Sequence, residues 1–246
     1  MRDPWIIAHR GASGHAPENT IAAFERAVQL GAGFIETDIQ LTRDGRFVAI
    51  HDDTLERTTN GHGAVHDYTL AELRKLDAGR WFDRPFDGLR IPTLEEVLEF
   101  AQKHDVVFYL EIKYKPAWGM HEALAAALRP PEFAARSIVI SFQIETLRRM
   151  RQIDPSLAIG VLVDRRRAGI VEEAVGVGAR QLCLHADLVT PELVEKAHRA
   201  GLHVAAWTLN DLAAMRVAVG CGVDGVMTDL PDRLRALIED QIAQDF

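Results

Sequence analysis

The chain has 246 residues, 48% of them hydrophobic and 26% charged, with a formal net charge of -8 at pH 7. That supplies one large core or two small ones, while no run approaches the ~20 consecutive apolar residues of a membrane-spanning helix. The acidic balance argues against broad nucleic-acid binding, and the N-terminal MRDPWIIAHRG has no apolar signal region, so a soluble cytoplasmic protein is expected.

The first predicted strand, Trp5–Ala8, runs straight into His9 and Arg10 and then breaks at Gly11, Ser13 and Gly14. Such a strand end delivers polar side chains to a site, and the glycines are expected to let the backbone bend away beneath a bound anion. A helix follows near residues 19–30, with Ile21, Phe24 and Val28 on one face and Gly31 where a C-cap glycine belongs. Glu18 and Asn19, just before it, are expected to cap that helix and brace the site. The second strand, Phe34–Asp38, leads to Thr42-Arg43-Asp44-Gly45, whose Asp-Gly pair signals a hairpin. The returning strand, Phe47–Ile50, would bring His51 back towards Asp38. The stretch that follows is rich in Gly, Asp and Thr, with one short helical piece at Leu70–Leu76, and reads as a small inserted cap at about 52–90.

From there strands and helices alternate. Strands are predicted at Val106–Glu111, Ile138–Phe142, Ala158–Val163, Gln181–Leu184, His203–Trp207 and Asp224–Thr228, and helices near 93–104, 120–128, 144–153, 167–177, 191–200, 211–219 and 231–242. Setting the hairpin aside, eight strands alternate with eight helices in one unit, residues 1–246. This is the pattern of an α/β protein with a parallel sheet, most economically a closed (β/α)8 TIM barrel with the cap between strand 2 and helix 2. An open doubly wound sheet is the alternative, but no GxGxxG follows the first strand. Cys183 and Cys221 are the only cysteines and have no disulfide or zinc spacing, so both are expected to be reduced. The Arg165-Arg166-Arg167 run reads as solvated surface.

Barrel sites lie at the C-terminal ends of the strands. There the sequence places His9, Arg10, Glu36, Asp38, Glu111 and Lys113, with His51 and Asp52 on the returning hairpin. Residues two apart on a strand share a face, so Glu36 joins Asp38 and Glu111 joins Lys113. Three carboxylates at short range raise one another's pKa unless compensated. A divalent cation, Mg2+ or Ca2+ by the all-oxygen donor set, is the simplest remedy; plain salt bridges to Arg10 and Lys113 are the alternative. Two histidines beside that cluster would make an acid/base pair around a phosphate ester. His185, just past its strand, could line the pocket.

His9-Arg10-Gly11, Pro17-Glu18-Asn19-Thr20, Glu36-Thr37-Asp38, His51-Asp52, Glu111-Ile112-Lys113, Ser141-Phe142, Trp207-Thr208-Leu209-Asn210 and Gly222-Val223-Asp224-Gly225 with Thr228-Asp229, in that order, resemble the glycerophosphodiester phosphodiesterase family. The resemblance implies a capped (β/α)8 barrel that hydrolyses glycerophosphodiesters, such as glycerophosphocholine or glycerophosphoethanolamine, to sn-glycerol 3-phosphate and an alcohol. It implies that His9 and His51 are the general acid/base pair and that Glu36, Asp38 and Glu111 hold the metal. Arg10 and Lys113 would contact phosphate, and Trp207 would pack against the glycerol. The implied course is attack by the substrate's own 2-hydroxyl, giving a cyclic phosphate that water opens. Lysophospholipids are an alternative substrate if the cap's Trp81, Phe82 and Phe86 form an apolar groove, and a non-catalytic phospho-ligand-binding barrel is the remaining one.

Overall fold

The computed structural model describes residues 3–113 and 119–244. Its frame is a ring of parallel strands: β1 (Trp5–Ala8), β2 (Phe34–Leu41), β4 (Val107–Ile112), β5 (Ser137–Ser141), β6 (Ala158–Val163), β7 (Gln181–His185), β8 (His203–Trp207) and β9 (Gly225–Thr228). Each pairs with the next, and β1 lies between β9 and β2, which closes a TIM barrel. The two-residue period of each strand divides the side chains. Ile7, Tyr109, Ile138, Ile140, Leu162, Cys183, Ala205 and Met227 fill the interior. Their neighbours Ala8, Ile35, Phe108, Leu110, Val139 and Val161 face the helices.

The helices α1 (Ile21–Gln29), α3 (Leu94–His104), α4 (Met120–Ala127), α6 (Ile144–Ile153), α7 (Ile170–Gly176), α8 (Pro191–Arg199), α9 (Leu212–Gly220) and α10 (Pro231–Gln244) fall between or after the strands. Their start signals are visible in the chain. Thr93 and Glu96 form a capping box at α3, Thr190 caps α8 ahead of Pro191, and Asp211 caps α9. The short α5 (Pro131–Ala134) lies beyond the predicted elements. No helix among the described residues is long and apolar enough to cross a membrane.

One strand outruns the ring. β2 pairs with β4 as far as Ile39 and then, over Ile39–Leu41, takes β3 (Phe47–Ala49) as an antiparallel partner. This hairpin stands above the mouth, and residues up to Ile91 build on it around their own small core of Val48, Ile50, Leu55, Val65, Leu73, Ala78 and Ile91. That segment includes the short helix α2 (Leu70–Leu73), itself closed by a Thr69–Glu72 capping box.

One local expectation needs correction. Helix α1 is capped by Thr20, whose hydroxyl accepts from the Ala23 N–H, and not by Glu18 or Asn19. Asn19 instead takes a left-handed φ of 55° and turns its amide onto β2, where its Oδ1 accepts from Thr37 and its Nδ2 donates to Asp38. The glycines after β1 also have a packing reason of their own. A Cβ on Gly11, at a φ of 81°, would stand 2.7 Å from the Ala23 backbone of α1, and one on Gly14 would stand 2.9 Å from the Asp229 carbonyl oxygen, so a side chain at either site would force the backbone to shift.

Candidate active site at the barrel mouth

The parallel register sets Asp38 beside Glu111, with Glu36 two residues back on the same face. One oxygen from each of the three lies within 4.8 Å of the others. Glu36 and Asp38 are buried, 2% and 1% exposed, so their charges are not relieved by water. The surrounding cations are Lys113, whose Nζ lies 3.1 Å from Asp38 and 2.9 Å from Glu111, and Arg10, whose Nε lies 3.4 Å from Asp38. The Arg10 backbone N–H also donates to Glu36 at 3.0 Å, an approach permitted by that residue's left-handed φ of 54°.

The three carboxyls respond differently. Burial, with the charges of Asp38 and Glu111, pushes Glu36 well above the usual carboxylate range. Burial and Asp38 push Glu111 up to about 7, against the pull of Lys113. Asp38 also pays for burial, yet Lys113, Arg10 and the Asn19 amide outweigh that and hold it far below the usual range. Glu36 Oε1 is buried with no hydrogen-bond partner. An all-oxygen trio with too much negative charge for its burial and one orphaned acceptor fits a hard divalent cation. Glu36, Asp38 and Glu111 are the residues that could hold it.

The histidines flank this cluster. His9, just beyond β1, is held at Nδ1 by Asp229 Oδ1 at 2.7 Å, and its Nε2 lies 3.8 Å from Glu36. Asp229 follows β9 and also accepts from Ser13 at 2.8 Å and Asn210 at 2.6 Å. Burial acts to raise the Asp229 carboxyl, but His9, Asn210 and Ser13 together pull it down to about 2. His51, beyond β3, is held at Nδ1 by Asp52 at 2.6 Å. Burial lowers the pKa of His51, with Arg10 and Lys113 adding to it against the charge of Asp38. A carboxylate on Nδ1 makes that nitrogen the N–H donor and leaves Nε2 as the basic atom.

Both histidines, Arg10, Glu36, Glu111 and Lys113 line one cavity of about 130 Å3, with Trp207 and Phe142 on its apolar side. Trp207 is fixed by its indole N–H, which donates to the Cys183 carbonyl at 2.9 Å, and by edge contacts to Phe142 and His185. His185 therefore backs Trp207 and is not among the residues lining the cavity. Trp81, Phe82 and Phe86 stack edge-to-face on one another in the cap and are likewise not among them.

The pattern of the glycerophosphoryl diester phosphodiesterase family matches residues 9–233, from the first of these histidines to the start of α10. The chain belongs to that family. A glycerophosphodiester phosphodiesterase from Caldanaerobacter subterraneus subsp. tengcongensis is 43% identical over 238 residues, covering 95% of this chain and 97% of the relative. Among solved structures, a phosphodiesterase of Oleispira antarctica in complex with the product sn-glycerol-3-phosphate superposes with a TM-score of 0.87 at 32% identity, covering 96% of this chain and 97% of the other. The glycerophosphodiester phosphodiesterase of Agrobacterium tumefaciens gives 0.84 at 32% identity, over 95% and 99% of the two chains. Membership makes the chain an enzyme, a phosphoric diester hydrolase.

Sequence reasoning missed the groups that orient this family site. Asp229 appeared only as part of a motif, and its pairing with His9 across 220 residues left no local signal. Arg57 was passed over within the cap, although it binds both Asp52 and Glu18. The adjacency of His51 and Asp52 is the one such pairing that the sequence displayed.

Proposed function

We propose that the enzyme hydrolyses glycerophosphodiesters, such as glycerophosphocholine or glycerophosphoethanolamine, to sn-glycerol 3-phosphate and an alcohol in a metal-dependent reaction. The observation that carries this reading is a pair of histidines, each turned by a carboxylate at Nδ1, on one small cavity with a carboxylate trio, Arg10 and Lys113. A divalent cation on Glu36, Asp38 and Glu111, Mg2+ or Ca2+, would supply charge neutralisation for the phosphoryl group.

Arg10 and Lys113 bind the non-bridging phosphoryl oxygens and offset the charge that grows there. One histidine accepts the proton of the glycerol 2-hydroxyl at Nε2 as that oxygen bonds to phosphorus. The other donates its Nε2 proton to the departing alcohol oxygen as the P–O bond breaks. The histidine that gained a proton then returns it to the glycerol oxygen when water opens the cyclic phosphate, while the other takes the water's proton. Each histidine thus acts once as acid and once as base, and a carboxylate behind each suits both states. Trp207 and Phe142 offer an apolar wall for the glycerol carbons. The small volume of the cavity, about 130 Å3, supports reading the substrate as a headgroup-sized diester, and Trp81, Phe82 and Phe86 are not among the residues that line it.

The test is release of glycerol 3-phosphate from both substrates by the enzyme and by its His51→Ala variant. The wild type should turn over at least one of them, and His51→Ala should lose about 100- to 10,000-fold in kcat while folding normally. A fully active variant would sink the assignment.

A further inference from the structure

Arg57 lies in the cap with 43% of its side chain exposed, where a charged pair ordinarily contributes little. Its contacts are not those of a solvated arginine. Nε and Nη2 donate to the two oxygens of Asp52 at 2.6 and 2.9 Å, and Nη1 and Nη2 donate to the two oxygens of Glu18 at 2.7 and 2.8 Å. One guanidinium thus makes two bidentate grips at once, a geometry that its planar fork allows and a lysine cannot copy.

Both gripped carboxylates are already engaged at the site. Asp52 Oδ1 holds His51 Nδ1 at 2.6 Å, and Glu18 Oε1 accepts from Arg10 Nη1 at 2.9 Å. The result is an unbroken line, His51–Asp52–Arg57–Glu18–Arg10, crossing from the cap to the barrel. The backbone of the cap end is secured separately. The Gln40 amide of β2 donates to the carbonyls of Ile50, His51 and Asp52 at 3.0, 3.0 and 2.8 Å. Gln40 therefore sets where His51 stands, and the Asp52 side chain, steered by Arg57, sets how its ring faces. The same guanidinium, first among the causes, holds Asp52 ionised far below the usual carboxylate range.

We propose that Arg57 is a positioning residue that sets His51 and Arg10 together, by locking Asp52 against the histidine and Glu18 against the arginine. This rests on the reading of His51 as an acid/base group and of Arg10 as a phosphate contact. The relay makes seating of the cap a condition for an aligned site.

The experiment measures kcat and KM on glycerophosphocholine and glycerophosphoethanolamine for wild type, Arg57→Ala, Arg57→Lys, Asp52→Asn and the Arg57→Ala/Asp52→Asn double variant. Arg43→Ala serves as a control, because Arg43 also ties parts of the cap together, through Glu72, outside the relay. Arg57→Ala should lose about 10- to 100-fold in kcat, the scale of a misplaced reacting group, with a several-fold rise in KM from the freed Arg10. Its melting temperature should match that of Arg43→Ala, which keeps wild-type activity. Arg57→Lys should recover only part of the loss, and the double variant should have a kcat within about threefold of that of Asp52→Asn. Arg57→Ala with kcat and KM within twofold of the control, or a double variant whose losses multiply, would overturn the relay while leaving the reading of His51 intact. Full activity in His51→Ala would overturn that reading, and the relay with it.

Discussion

The two histidines each meet a carboxylate at Nδ1, and they are supported in different ways. His9 stands on the barrel ring, and its carboxylate comes from the far end of the chain. β1 and β9 are paired so that Ala8 lies beside Thr228, and Asp229 is then pinned by Ser13 and Asn210. His51 stands on a hairpin outside the ring, its carboxylate is the next residue, and that carboxylate is steered by a half-exposed arginine. The barrel flank is therefore brought together by barrel closure, which sets Asp229 beside His9. The cap flank is aligned by the Asp52–Arg57–Glu18 contacts, by the Gln40 amide on the Ile50, His51 and Asp52 carbonyls, and by the pairing of β2 with β3. The site is thus assembled from one half built on the barrel ring and one half built on the hairpin and cap.

Both halves close on the same carboxylate trio, so the largest effect should come from beneath them. Removing divalent cations with EDTA should abolish product release, by more than about 1,000-fold, and Mg2+ or Ca2+ should restore it. Metal at about 100 times its Kd should also raise the melting temperature by roughly 5–10 °C, because it binds only the folded state. Activity that survives chelation would remove the metal from the comparison altogether.

The barrel flank can be loosened by Asp229→Asn, which keeps the shape but no longer holds the imidazole by charge. A loss on the order of 10- to 100-fold in kcat is expected, as when the partner of an oriented imidazole is removed, with KM nearly unchanged because Asp229 is not among the residues that line the cavity. An equal loss that appears wholly in KM would show that Asp229 shapes the pocket and does not orient His9.

The smallest effect concerns acid stability. The Asp229 carboxyl sits at about 2 in the folded protein against about 3.9 for an unfolded aspartate. A depressed folded value means that the stabilisation is complete above pH 4–5 and is lost as the pH falls towards 2. It amounts to about 1–2 kcal/mol. Denaturant unfolding of wild type and Asp229→Asn at pH 6 and pH 3 should show the gap between them narrowing in acid. A gap that widened would contradict the pairing.

Much of this site could be read before the fold. His9, Arg10, Glu36, Asp38, His51, Glu111 and Lys113 each follow or end a strand-length apolar run, and the i, i+2 rule put the carboxylates and the lysine on shared faces. The hairpin at Asp44-Gly45 also announced the return of His51. Illegible were the residues whose importance depends on who stands opposite. Asn19, read as both a helix cap and a brace for the site, leaves the cap to Thr20 and braces Asp38, and Trp81, Phe82 and Phe86, read as a possible groove, stack on one another.

The amino-acid sequence by itself determined the alternation of strands and helices, the chemistry gathered at the strand ends and the family. These depend on short-range periodicity and on residue types, which a linear chain displays directly. Only the tertiary structure decided that Asp229 backs His9, that Glu36 keeps an unpartnered oxygen and that Arg57 joins cap to barrel. Those are contacts between segments brought together by barrel closure and cap docking, and neither periodicity nor motif spacing records which side chains meet across such a closure.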